Sequence, residues 1–273
     1  MSDTAGARDL WVRAVALGMR GAVARGQTCL NAAQEAVGRS EDAADRALLS
    51  LLSSTRASWL RQSGRHRLAL VPDGRAALLA AVSSTGRDDD GWGRAAMGDA
   101  LIGLAADNLG LGRFDASSRL LDRARTTVAG DRRGGLVPNE WIVDRRVALR
   151  WHWVSAENAL YRGEVQAGRR WAREAERLAR DCPSAHHRIK TRLIAAAATA
   201  AGGDIDEAAA EAGAVIIAAD AAGLLPLRWA GSQMLAALDP SPAATRRVDE
   251  STAALAALGF FPGGDFNGRW AGR

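Results

Sequence analysis

The chain has 273 residues, 48% of them hydrophobic, 5% aromatic and 25% charged, with a formal net charge of +5. Alanine and leucine dominate the apolar set and β-branched runs are almost absent, so strand-forming residues are outweighed and an all-α fold is expected. The length suits a repeat array better than one compact core. The positive charge is carried by arginine, Lys190 being the only lysine, and a skew spread along the whole chain reflects a GC-rich coding sequence rather than a phosphate site.

From the N-terminus, residues 1–9 are small and polar, and Arg13 and Arg20 interrupt the first apolar stretch, so no signal-peptide core is expected. The most apolar window, residues 194–201, is far too short for a membrane span. Gly26, followed by Cys29 and Ala32, and Gly64, followed by Leu68 and Ala69, are read as the turns of two helix pairs. Residues 83–91 form a loop dense in glycine and charge, and Asp88, Asp89 and Asp90 precede a helix beginning near Trp92. Carboxylates there suit the positive end of a helix dipole. They do not make a calcium loop: with Gly91 in the glycine position, Gly86 falls where the first ligand belongs and Met97 where the bidentate carboxylate belongs.

The clearest unit covers residues 100–128. Leu101, Leu104, Ala105, Asn108 and Leu111 recur at helical spacing, Gly112 and Phe114 mark a turn, and Leu120, Leu121 and Ala124 belong to a second helix. Two helices joined so tightly need a residue tolerant of positive φ at the end of the first and small side chains where the backbones approach. The same order returns at Gly163, with Ala156 and Ala159 before it and Trp171, Ala172 and Ala175 after it. It returns again at Gly203, ahead of Ala212, Val215 and Ile216. A second loop rich in glycine and charge, residues 129–138, separates two of these pairs. The connection 223–226, then Asp239, Pro240 and Pro242, precede a last helix over 243–258 that caps the stack. In the tail, 260–273, Phe260, Phe261 and Trp270 either fold back onto the cap or meet a partner.

An apolar helix with small residues, a Gly-x-aromatic turn and a second alanine-bearing helix resembles the tetratricopeptide repeat. The resemblance covers residues 10–238, leaving 239–259 as the capping helix and 260–273 as an irregular tail of one repeat domain. It implies a right-handed α-solenoid of about five antiparallel helix pairs. The five glycines are 38, 48, 51 and 40 residues apart, against about 34 in that family, so the loops between pairs are expanded. Asn108 and Ala159 stand where the family has an aromatic before the turn, and no proline closes the repeats. In the family, the first helix of each pair lines a concave groove. Carried over by the glycines, this implies Arg150, Trp153, Glu157 and Tyr161 in one unit, Asp99 and Ile102 in the preceding one, and Lys190 and Leu193 in the following one. The family's carboxylate-clamping set of Lys, Asn and Arg is not reproduced.

Residues 141–153 bring Trp141, Trp151 and Trp153 together with Arg145, Arg146 and Arg150. These residue types dominate binding hot spots, and equally they fill space between alanine-rich helices. Residues 162–192 hold nine basic side chains against four acidic ones, and Arg169, Arg173, Arg177 and Arg180 follow one helical face, with Arg188 beyond it. That basic face suits an acidic partner, nucleic acid, or solvent alone, since Arg170 with Glu174 and Glu176 with Arg180 sit at i,i+4. Cys29 and Cys182 form neither a disulfide framework nor a metal pair, which fits a reducing cytoplasm. Adjacent His186 and His187 diverge too far to share an ion, and Pro183 places Cys182 in a separate local structure.

No phosphate loop, nucleophile elbow or zinc-hydrolase motif occurs. The sequence therefore reads as a non-catalytic, cofactor-free protein- or peptide-binding scaffold, the alternative being a regulatory protein whose arginine-rich face binds nucleic acid.

Overall fold

The computed structural model describes residues 4–38, 42–83, 91–128 and 141–262. Among them are twelve α-helices and no strand, as the composition requires. The chain divides into two compact units, the first made of Met1–Leu17 and Arg25–Val154, the second of Gly18–Ala24 and Ser155–Arg273. Of the loop expected at 83–91, Ser83 instead ends α4 and Gly91 precedes α5 at φ +76°, while residues 84–90 with the acidic run, the loop expected at 129–138, and Trp270 lie outside the described residues.

The helices of the first unit are α1 (Thr4–Met19), α2 (Val23–Val37), α3 (Ala43–Gln62), α4 (His66–Ser83), α5 (Trp92–Gly110) and α6 (Phe114–Val128), with the start of α7 (Arg146–Tyr161). A π-helical turn, Trp141–Arg145, leads into α7. Helices α3, α4 and α5 all pack on one another. Leu48, Leu51 and Leu52 of α3 supply bulk, while Ala69, Ala76 and Ala80 of α4 and Ala95, Ala96 and Ala100 of α5 let the backbones close in. Ser50 Oγ uses that proximity to donate to the Ala76 carbonyl at 2.9 Å.

The second unit holds the end of α7, then α8 (Val165–Ala179), α9 (Ala185–Ala201), α10 (Ile205–Ala221), α11 (Leu225–Leu238) and α12 (Pro242–Ala257). Its main core joins Leu193, Ala197 and Ala200 of α9 to Ala208, Ala212 and Val215 of α10 and to Leu227 and Met234 of α11. Ser241 caps α12, accepting a hydrogen bond from the Ala244 amide, and Pro242 opens the helix where its missing N–H costs nothing. Phe260 folds back and is buried with Trp229 and Leu255, whereas Phe261 is exposed.

The glycine turns have one local geometry. After α5, Gly112 takes φ +74°; its amide donates to the Leu109 carbonyl at 2.9 Å and the Arg113 amide to the Asn108 carbonyl at 2.8 Å. This pair of bonds satisfies carbonyls that a helix end would orphan. The same pair of bonds closes α3 at Gly64, α7 at Gly163 and α9 at Gly203. Gly26 corrects the expectation made for it: it lies inside α2, buried, and the turn before α2 is at Gly21, with φ +86°. A Cβ on Gly26 would stand 2.8 Å from the Trp59 ring, so close packing rather than turning explains the glycine there.

Candidate functional site

The first unit is built around buried charge. Arg61, near the C-terminus of α3, donates to Asp73 of α4 at 2.8 Å, to Asp107 of α5 at 2.7 Å and to the Gly103 carbonyl at 3.1 Å. Both carboxylate side chains are wholly inaccessible. Glycine makes the approach feasible: a Cβ on Gly103 would lie 2.3 Å from Asp73 Oδ2, and one on Gly110 would lie 2.3 Å from His66 Nδ1. Asp73 Oδ1 and Asp107 Oδ2 are buried without a hydrogen-bond partner, so the pair gains by holding a proton. Burial, with the Asp73 charge added, pushes Asp107 up to about 7 against the pull of Arg61, and burial likewise raises Asp73. One guanidinium and two carboxyls sharing one proton then form a neutral set. His66, its Nδ1 3.9 Å from Asp107 Oδ1, is pushed down to about 4 by burial and by Arg61, and stays neutral.

A second group adjoins it. Asp99 of α5 accepts from Arg146 at 2.6 and 3.1 Å and also from Arg150. Burial opposes ionisation of Asp99, but the two guanidiniums outweigh it and hold the carboxyl below its usual range. Around this group, Arg8 stacks 4.4 Å from the Trp92 ring and Trp92 meets Trp11 edge-on with centroids 5.8 Å apart. The Trp11 indole donates to Thr55 at 2.9 Å. Arg61, Arg146 and Arg150 each meet a carboxylate, and with the Trp11–Thr55 bond and the Arg8–Trp92 stack they tie α1, α3, α4, α5 and α7 together.

Of the groove residues named from the sequence, the structure joins Asp99 to Arg150 as an ion pair and Glu157 to Lys190 at 3.5 Å. Ile102 is fully buried, Trp153 and Leu193 are buried, and Tyr161 is exposed. On the basic face, Arg173, Arg177, Arg180 and Arg188 are exposed. Arg169 pairs with Asp204 at 3.4 Å, Arg177 with Glu174 at 2.9 Å, and Arg188 donates to the Cys182 carbonyl. Two of the five arginines of this face, Arg169 and Arg177, thus meet a carboxylate. Cys29 and Cys182 form no disulfide, Cys182 Sγ accepting from the Ser184 amide at 3.4 Å, and His187 Nδ1 lies 2.8 Å from Ser184 Oγ. Among the described residues, no group of three His, Cys, Asp or Glu side chains is arranged to hold a metal ion, and no helix is long and apolar enough to cross a membrane.

One surface was not legible as a site in the sequence. The inner face of α4 is buried through Ala69, Asp73, Ala76 and Ala80, yet its outer face exposes Leu68 (56%), Val71 (75%), Leu78 (72%) and Val82 (48%). The signal for it is a helix apolar on both sides, which needs two partners to be covered. No protein-family model matches the chain, and neither does any curated protein sequence.

Proposed function

We propose that this chain is a non-catalytic scaffold that binds protein or peptide partners in the cytoplasm, built as a tetratricopeptide-type array of about five helix pairs with α12 as its C-terminal cap. The observation that carries the reading is the outer face of α4, where four large aliphatic side chains on one helix stand exposed. A contiguous apolar surface of this kind is the usual mark of a macromolecular contact. The array is supported by the recurrent glycine turn, which closes α3, α5, α7, α9, α10 and α12. Two arginines of α8, Arg169 and Arg177, are each paired with a carboxylate, which lowers the number of cations available to displace counterions from phosphate.

Selection from a random peptide library on the immobilised full-length chain tests the reading. Enrichment of peptides that bind with micromolar or better affinity supports it. Failure to enrich any peptide, with salt-sensitive binding of duplex DNA or RNA instead, replaces it with the nucleic-acid alternative.

A further inference from the structure

We propose that the outer face of α4 docks an amphipathic helix of a partner protein that carries aliphatic residues in heptad register and an acidic side chain opposite Arg75. The inference rests on the protein-binding reading and narrows it to one surface and one chemistry. Starting at Leu68, the exposed positions Val71, Arg75, Leu78 and Val82 follow at steps of three, four, three and four. That alternation keeps all five residues on one narrow seam, the pattern that a second helix packs against with its own a and d residues. At a rise of about 1.5 Å per residue the seam runs about 21 Å, four turns, which matches a short partner helix.

Charge decides which helix. Arg75 sits exposed at the middle of the seam, while Arg56 of α3 donates to Asn31 at 3.1 Å and has its pKa lowered by burial first and then by the Arg75 charge. Arg65 and Arg67 are exposed at the N-terminal end of the same helix. None of Arg65, Arg67 and Arg75 pairs with a carboxylate among the described residues. The helices themselves offer little compensation: Asp45 and Asp73 are buried, Asp45 accepting from Thr4 at 2.6 Å and Asp73 from Arg61, while the exposed Asp42 caps the start of α3. An acidic side chain from outside would meet the exposed Arg75 at the centre of an apolar strip. A second copy of this chain fits poorly, because in-register pairing, parallel or antiparallel, sets Arg75 against Arg75. Nucleic acid fits poorly as well, since four of the five seam positions are aliphatic.

The test uses the full-length chain and three labelled twenty-residue helical peptides. One has leucines in heptad register with a central glutamate; the second replaces that glutamate with lysine; the third replaces the leucines with serine. Fluorescence anisotropy is expected to show binding of the first, binding weaker by about tenfold for the second, and none for the third. Val71→Glu or Leu78→Glu is expected to weaken the first peptide by about a hundredfold while leaving the far-UV circular dichroism and melting temperature unchanged, both positions being exposed and glutamate a good helix former. Arg75→Glu is expected to reverse the preference, so that the lysine peptide binds better than the glutamate one. Equal binding of the glutamate and lysine peptides, or binding indifferent to Leu78→Glu, overturns the inference. So does self-association of the chain, by sedimentation, that Leu78→Glu abolishes. If peptides from the random library still bind in those cases, the scaffold reading survives; if none do, both fail.

Discussion

The two units solve the problem of packing helices with different materials. The first buries Asp45, Asp73, Asp99 and Asp107, while the second, among its described residues, buries no carboxylate. Its ion pairs, such as Arg177 with Glu174, Arg192 with Glu211 and Arg228 with Asp220, stay near water. Its core is alanine with leucine, valine and methionine. A buried pair has large opposing terms, desolvation against attraction, so removing one partner leaves most of the cost uncompensated. An exposed pair has small terms of both kinds. The first unit should therefore be sensitive to single charges and to pH, and the second to volume.

The largest expected effect tests that contrast directly. Arg61→Leu strands Asp73 and Asp107 together without a cation and should destabilise the first unit by about 3–5 kcal/mol, read from urea unfolding and from amide exchange in α3, α4 and α5. Arg192→Leu, its surface counterpart, should change the exchange of α9 and α10 by less than about 1 kcal/mol. Similar losses at both positions would erase the distinction.

Next comes a difference between glycines. Gly103→Ala drives a Cβ into the held carboxylate of Asp73 and should cost about 1–3 kcal/mol. Gly74 of α4 and Gly213 of α10 have open space where a Cβ would go and lie within helices. Alanine at either should stabilise by about 0.5–1 kcal/mol. Denaturation midpoints of the three variants give the ordering, and a stabilising Gly103→Ala would show that Asp73 is not fixed.

The third prediction concerns pH. Asp107 titrates near 7 in the folded chain and near 4 when unfolded, so the native state binds the extra proton between those values. Its contribution is complete below about 4 and is lost as pH rises to 7. His66 has the opposite sign: its folded value is near 4 against about 6.5 unfolded, so its contribution is complete above 6.5 and is lost as pH falls to 4. Each group gives a slope of at most about 1.4 kcal/mol per pH unit, and over roughly pH 4–6.5 the two oppose. Asp107→Asn combined with Asp73→Asn, which removes both raised carboxyls, should leave stability falling as pH is lowered through that window, and His66→Asn should leave it falling as pH is raised. Unfolding free energies across pH 4–7 decide; slopes of the same sign in the two variants would refute the assignment.

Much of the fold was readable from local signals. The glycines at 64, 112, 163 and 203 were identified because ending a helix with a left-handed residue is a requirement of the backbone itself, independent of distant contacts. Gly26 was misread because a glycine needed for close approach looks the same in sequence as one needed for a turn; Trp59, which demands the space, is 33 positions away. The buried network was missed for a related reason. Asp73 among Ala69, Ala76 and Ala80, and Asp107 between Gly103 and Gly110, carried the clue: a carboxylate on a face of small residues points inward. The clue does not name the partner, since Arg61 reaches Asp107 across 46 positions.

What the sequence by itself determined, then, is the run of helices, their caps and the helical repeat grammar, because propensity, glycine and proline act within a few residues. Only the tertiary structure decided which arginines are consumed inside, which carboxyl holds a proton, and which side of α4 is left facing out. Those outcomes depend on burial and on charges brought together from distant helices, and neither exists until the chain has packed.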